Sequence, residues 1–437
     1  MGIELLTVLL FGGLIVLLVT GVPLVFALGG IAVIGTYFLW GANALYMVGI
    51  RTLDSATSFV LLAVPMFIFM GAMLERSGVA RDLYAMMYKW IGPFRGGLAA
   101  GTVLICAIFA ALVGISGAAT VAMTIIALPS MLEHGYDKRL AIGVIAGGGA
   151  LGVLIPPSVL MIVLGLYTNT SIGMLFLGGI AAGLLIVVLF LLYIGVVCTL
   201  RPELGPALPP EARIGWRDKL IALRAVILPI LIVIGVLGSI VSGAATPSEA
   251  AGIGALASIV CAALYRELDW QRLLEACTVT LRLSCMVIWI VFAASLFTAL
   301  YSAIGAQDLI RDALLWLPGG RWAAVIGMQV IWVIMGALLD PIGIMLISAP
   351  LFFPIIVQLG FDPVWFGVLF VVNMEMAFLT PPFGFNLFYI RGVAPPGVEM
   401  IDIYRAIVPF VLLQATALVI LMIFPGIVLW LPNLLMR

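Results

Sequence analysis

Charge is what this sequence has least of. Asp, Glu, Lys and Arg together make up 9% of 437 residues, whereas 65% are hydrophobic. Soluble domains carry about 25% charged residues, because a water-facing surface needs polar side chains in number. The scarcity excludes a water-soluble globule and points to lipid as the solvent. Nor is one sign in excess: twenty Lys and Arg balance twenty Asp and Glu, so no nucleic-acid partner is expected. His134, beside Glu133, is the single histidine. It leaves no HExxH zinc site and argues against a Ser-His triad. No Walker lysine motif occurs, so ATP hydrolysis by the chain is excluded. The five cysteines (Cys106, Cys198, Cys261, Cys277, Cys285) form no CxxC pair, and all but Cys277 lie in apolar runs. They read as buried small hydrophobes.

Basic residues are also missing before Arg51, so the basic n-region of a cleaved signal peptide is absent. The first segment reads as a retained membrane helix. What is present is a series of apolar runs near the roughly 20 residues a span requires. They fall at 3–20, 24–40, 56–75, 138–168, 172–200, 222–242, 246–265, 274–300, 364–390 and 404–433. Two further runs, 96–132 and 321–359, are too long for one span, and each has a polar or helix-breaking centre, Ser116-Gly117 and Asp340-Pro341. Both are expected to be re-entrant helical hairpins. With that layout and a periplasmic N-terminus, every Lys and Arg except Arg51, Arg311, Arg321 and Arg437 lies on or near the cytoplasmic side, as the positive-inside rule requires. The expected location is a bacterial inner membrane, crossed many times. The polar stretch 201–219 divides the chain into two halves.

Those halves resemble each other. At a constant offset of 225 residues, Pro93 falls on Pro318, Pro129 on Pro354, Gly135 on Gly360, Asp137 on Asp362 and Pro156-Pro157 on Pro381-Pro382. A weaker echo at 224 sets Pro23, Ala27 and Gly30 on Pro247, Ala251 and Gly254. In the layout above the first hairpin opens from the cytoplasm and the second from outside, so the expected fold is all-α with two inverted repeats. The alternative is chance alignment in a chain holding 24 prolines and 48 glycines. Inverted repeats with interrupted helices at matching positions are the sequence signature of a secondary transporter.

The Pro-Pro pairs carry the chemistry. Two consecutive prolines remove two N–H donors and clash with the preceding turn, so the helix breaks. Carbonyls before the break lose their partners, and at membrane depth they persist only where protein, water or an ion satisfies them. A plain proline kink is the other reading. At the first tip, Gly114-Ile115-Ser116-Gly117, glycines allow a tight turn, and the N–H groups opening the second arm favour an anion. At the second tip, Gly336-Ala337-Leu338-Leu339-Asp340-Pro341, Asp340 is an ionisable group at membrane depth or an N-cap with Pro341 at the first helical position; it can be both. Glu375 serves a proton or cation, pairs with an arginine, or sits in a wet crevice. Asn373 and Asn386 are amide contacts for a carboxylate, with Ser158 and Thr168 to Ser171 as weaker candidates. Glu249 reads as a helix-start residue. Gly147 to Gly152 reads as close helix packing rather than a dinucleotide loop.

Long stretches of the chain resemble the large membrane subunit of TRAP transporters. They include Leu128-Pro129-Ser130-Met131, Leu151-Gly152-Val153-Leu154-Ile155-Pro156-Pro157-Ser158, Thr246-Pro247-Ser248-Glu249-Ala250-Ala251, Leu359-Gly360-Phe361-Asp362-Pro363-Val364-Trp365-Phe366-Gly367 and Thr380-Pro381-Pro382-Phe383-Gly384-Phe385. The resemblance implies a sodium-coupled importer of an organic acid, not an enzyme. Its partners would be a periplasmic substrate-binding protein and a small four-helix membrane subunit. It implies an elevator-type division: scaffold helices at 1–75 and 222–300, transport-domain halves at 76–171 and 301–392, a long helix and polar linker at 172–221, and a C-terminal helix at 393–437. The hairpins and broken helices within those halves are 96–132 with 138–168, and 321–359 with 364–390. By the same resemblance, two or more sodium ions bind. One sits near Ser116, Gly117, Gly152 and Pro156, and a second near Gly336, Ala377, Thr380 and Phe383. Substrate lies near Ser116, Asp340, Asn386 and Ser158. The chain departs from many relatives in having fewer hydroxyls at the first tip and alanine rather than glycine at Ala377. The run Arg391-Gly392-Val393-Ala394-Pro395-Pro396 resembles a branch that includes mannitol, chloroaromatic, 2-oxo acid and lactate systems, which implies a 2-oxo or 2-hydroxy monocarboxylate. Two other readings stand beside this one. One is a stand-alone sodium- or proton-coupled dicarboxylate symporter of the same architecture. The other is an intramembrane aspartyl enzyme using Asp340 and Glu375.

Overall fold

In lipid each backbone N–H and C=O must find a partner within its own segment, so an apolar chain folds into helices. The computed structural model describes residues 2–209, 215–382 and 384–436, and among them there is helix but no strand. In the first half the helices are α1 (Ile3–Val19), α2 (Leu24–Trp40), α3 (Leu45–Ala56), α4 (Ala63–Arg76), α5 (Val79–Ile91), α6 (Gly97–Val113), α7 (Ser116–Glu133), α8 (Lys138–Ala150), α9 (Val159–Thr168) and α10 (Ile172–Leu200). In the second half they are α11 (Trp216–Ala222), α12 (Arg224–Val241), α13 (Pro247–Leu264), α14 (Trp270–Ala303), α15 (Ala306–Leu315), α16 (Gly320–Gly336), α17 (Pro341–Gln358), α18 (Pro363–Ala377), α19 (Phe385–Val393), α20 (Met400–Ile423) and α21 (Gly426–Leu435). Eight helical segments among the described residues are long and apolar enough to cross a membrane.

Positions at the 225-residue spacing take matching local roles. Gly135 and Gly360 turn the chain in the left-handed region, at φ 76° and 78°, between a hairpin and the helix that follows it. Asp137 and Asp362 then cap those following helices, accepting from Leu140 N at 2.9 Å and from Val364 N at 2.7 Å. Pro129 and Pro354 sit inside the second hairpin arms, α7 and α17. Glu249 is a helix-start residue as expected, closing a capping box with Thr246.

Several elements differ from the apolar pattern. The run 404–433 is two helices, α20 and α21, because Pro425 cannot continue the first. Amphipathic α3, α5 and α15 lie between spans where a hydropathy reading sees only loops. The linker after α10 is not a free tether. Gly205 O accepts from Gly96 N at 2.8 Å, Leu204 O from Asp137 N at 3.0 Å, and Leu208 N donates to Gly92 O at 3.0 Å, so it straps the base of the first hairpin. Tyr136 helps there, its hydroxyl accepting from Leu98 N at 3.1 Å. Cys285 is exposed rather than buried, and all five cysteines are free. Arg213 and Arg437 lie outside the described residues.

The halves interlock. The segment after the first break, α9, packs on α17 of the second hairpin, and the segment after the second break, α19, packs on α7 of the first. One step further, α10 packs on α18, and α20 packs on α8. Small residues permit the close approach: at Gly143 and Gly147 of α8 an added Cβ would meet the Phe410 ring of α20. Since lipid tails are as apolar as leucine, such van der Waals fit holds membrane helices together. Elsewhere α13 packs on α4, and α14 packs on both α2 and α4.

Candidate functional site

The first tip is built against the first break. Gly114 takes φ +67°, and an added Cβ there would collide with the Pro157 carbonyl oxygen. From the other side, a Cβ on Gly152 would stand 2.9 Å from the Ile115 carbonyl carbon and oxygen and 3.0 Å from Ser116 Cα. Tip and break are therefore backbone against backbone, which only glycine allows. Among the described residues no hydrogen bond reaches the carbonyl oxygens of Ile115, Pro156 or Pro157. The break starts after α8, 13 residues long, so at 1.5 Å per residue it lies about 20 Å from the hairpin base.

The second tip also comes close to the second break, here against a side chain: a Cβ on Gly336 would stand 2.6 Å from Ala377 Cβ. Thr380 turns its hydroxyl back to Met376 O at 2.8 Å. Ala377 and Thr380 border a groove of about 870 Å³ between α16, α18 and α20, which Gln329 and Asn373 also line. Phe383 lies outside the described residues.

Of the residues expected to hold substrate, the fold brings two together. Ser116 Oγ donates to Asn386 Oδ1 at 2.7 Å, and Asn386 Nδ2 donates to Ala146 O at 3.3 Å; both side chains are fully buried. This bond joins the first hairpin to the helix after the second break. Both helices that this bond joins near their starts, α7 and α19, lack a side-chain cap; in α19 Asn386 N donates to Phe378 O at 3.2 Å and Leu387 N to Gly384 O at 2.8 Å. Gly117 lies against the Tyr389 ring.

The others stand apart. Ser158 donates to Val153 O at 2.6 Å and accepts from Met161 N at 3.4 Å, capping α9. Asp340 caps α17, accepting from Ile342 N at 3.0 Å and Gly343 N at 3.1 Å; no hydrogen bond joins it to Ser116 or Asn386 among the described residues. Asn373 is engaged away from the junction, donating to Gln329 O and Oε1, each at 3.0 Å. Among the described residues Glu375 pairs with no arginine, and it accepts from Gln414 Nε2 at 2.9 Å. Gln329 and Gln414 were not singled out from the sequence, although an amide inside an apolar run is the same signal that marks Glu375. Among the described residues no group of three or more His, Cys, Asp or Glu is placed to hold a metal, so any cation here would rest on carbonyls and hydroxyls.

Known proteins resemble the chain over its whole length. The large permease protein of a C4-dicarboxylate TRAP transporter from Vibrio cholerae is 33% identical, over 100% of this chain and 98% of that protein. The permease protein DctMQ of an isethionate TRAP transporter from Oleidesulfovibrio alaskensis is 31% identical, over 96% of this chain and 65% of its own length. The crystal structure of the YdaH transporter from Alcanivorax borkumensis shares the fold, with a TM-score of 0.64 at 16% identity over 95% of this chain and 98% of that one. The family model for the DctM component of tripartite ATP-independent periplasmic transporters matches residues 11–427. That family is made of membrane permeases rather than enzymes, and the chain belongs to it: it is a TRAP transporter large permease.

Proposed function

We propose that this permease is the translocating subunit of a sodium-coupled importer, which receives a small organic acid from a periplasmic binding protein and carries it inward by an elevator movement. The observation that carries the proposal is the buried Ser116–Asn386 bond, which joins the first turns of α7 and α19, two helices without side-chain caps. A carboxylate placed there accepts from backbone N–H groups and both helix dipoles without needing a cationic side chain. Ser116 and Asn386 bond to each other in the state described, so substrate entry exchanges that bond for bonds to the acid. Ser158 and Asp340 serve as caps of α9 and α17 in the state described.

Sodium coupling is supported by the carbonyls of Ile115 and Pro157, which lie at the tip–break contact and accept no hydrogen bond among the described residues. A small hard cation is bound by such oxygens. Ser116, Gly117, Gly152 and Pro156 surround that contact, and Gly336, Ala377, Thr380 and Phe383 belong to its counterpart in the second half. The inverted arrangement expected from the 225-residue repeat supports movement of 76–171 and 301–392 against 1–75 and 222–300. The V. cholerae and O. alaskensis relatives are named for transporters of organic acids; for this chain the specific proposal is a 2-oxo or 2-hydroxy monocarboxylate.

The test is uptake into proteoliposomes holding this chain, its small partner and the binding protein. Accumulation should follow an inward sodium gradient. Accumulation indifferent to sodium refutes the coupling, and accumulation without any binding protein favours a stand-alone symporter.

A further inference from the structure

Two apolar helices end at one pocket. α12 begins and α13 ends beside α5 and α11, and together the four border an open cavity of about 370 Å³. Spanning helices stop at the membrane surface, so the pocket lies at the boundary between lipid and water. An aromatic pair beside it agrees. Trp90 and Trp216 meet edge to face at 5.9 Å, and Trp90 Nε1 donates to Lys219 O at 2.9 Å, which ties α11 to α5. Tryptophans gather at that depth of a bilayer.

The pocket carries charge of both signs. Asp82 and Lys89 border it from α5, and Arg224 from the start of α12. Asp82 and Lys89 share a helix face but stand two turns apart, about 10 Å along the axis. Among the described residues no ion pair engages Asp82, Lys89 or Arg224. Lys219, by contrast, already lies over the Trp216 ring at 5.4 Å. Two cations and one carboxylate, gathered in one pocket without pairing, match a ligand that carries a phosphate and an ammonium.

What leads away from the pocket is apolar. From Leu264, at its edge, Val260, Leu256 and Ile253 run along α13, each 50 to 65% exposed. Residues three and four apart are neighbours on one helix face, so an exposed apolar track descends from the charged pocket into the membrane. A soluble phosphate ester has nothing to lay on such a track, whereas an acyl chain does.

We propose that α5, α11, α12 and α13 form a binding site for a membrane phospholipid with an ethanolamine head. Lys89 and Arg224 hold its phosphate, Asp82 holds its ammonium, and the α13 track takes an acyl chain. In the elevator division proposed above, α5 belongs to a moving half and α12 and α13 to the scaffold, so the lipid would bridge them. Only that last consequence rests on the importer reading.

The experiment is native mass spectrometry of the full-length permease in detergent, titrated with palmitoyl-oleoyl phosphatidylethanolamine. Wild type is compared with the double variant Lys89→Gln/Arg224→Gln, with Asp82→Asn, and with the control Arg81→Gln, on α5 but away from the pocket. Affinity should fall about tenfold or more in the double variant, through loss of charge-assisted hydrogen bonds, and stay unchanged in the control. Asp82→Asn should weaken the ethanolamine lipid without weakening phosphatidylglycerol. Equal affinity in wild type and both pocket variants would overturn the site. Phosphoethanolamine without chains binding as tightly as the lipid would overturn the lipid assignment, and a wild-type preference for phosphatidylglycerol would overturn the ethanolamine one. The substituted side chains are exposed or half-buried, so the variants keep the fold. Lipid binding is read without transport, so failure here is distinct from failure of the importer reading.

Discussion

Gly152→Ala probes the tip–break contact with the smallest possible intrusion. The added methyl would stand 2.9 Å from the carbonyl carbon and oxygen of Ile115 and 3.0 Å from Ser116 Cα, where ordinary contact begins at 3.4 Å. All three neighbours are backbone, so no side chain can swing aside, and tip and break must separate by about half an ångström. Ion-ligand distances tolerate only about 0.2 Å, so the Ile115 and Pro156 carbonyls would no longer converge on one cation. Displacing supporting groups around a metal typically lowers affinity about 10- to 100-fold, and the sodium concentration for half-maximal uptake should rise by that factor. Overpacking costs about 1–3 kcal/mol of stability, which leaves the protein folded. Gly195→Ala is the control, since a Cβ there meets nothing within 4 Å and should leave sodium dependence unchanged. Wild-type sodium dependence in a folded Gly152→Ala protein would refute the assignment.

Ser116→Ala should destabilise by about 1–3 kcal/mol by leaving the buried Asn386 oxygen unpaired, and a thermal-denaturation double-mutant cycle with Asn386→Leu should show strong non-additivity. Additive effects would mean the bond does not couple the halves. Asp340→Asn keeps a good N-cap, so insertion should be normal while uptake falls; an unaffected uptake rate would reduce Asp340 to its capping role. At the hairpin base, burial pushes the Tyr136 phenol up to about 12, above the ordinary value near 10. Its contribution is present below that ordinary value and lost as pH rises towards the folded one. Tyr136→Phe should therefore lower thermal stability at neutral pH and flatten the alkaline loss; a melting curve unchanged at both pH values would contradict this.

Much of this was legible in the sequence because the strongest signals are local. Consecutive prolines, glycines at forced turns and aspartates before helices act within a few residues, and Gly135, Gly360, Asp137 and Asp362 take the roles their types dictate. The pairing of Ser116 with Asn386, 270 residues apart, was reachable only in outline, through the expectation that both line one site. Gln329 and Gln414 leave little trace in the sequence because an amide barely disturbs an apolar window, although their partners Asn373 and Glu375 stand out. The amphipathic α15 and the split between α20 and α21 were hidden by averaging hydropathy over lengths greater than the helices themselves.

The most direct measurement is a cryo-EM map of the permease with its small membrane partner, in lipid, with sodium and saturating organic acid. The account predicts acid density between the starts of α7 and α19, with the Ser116–Asn386 bond opened, and a separate ion peak among the carbonyls of Ile115, Pro156 and Pro157. Acid bound instead in the groove of Gln329 and Asn373, with the junction still closed, would contradict it.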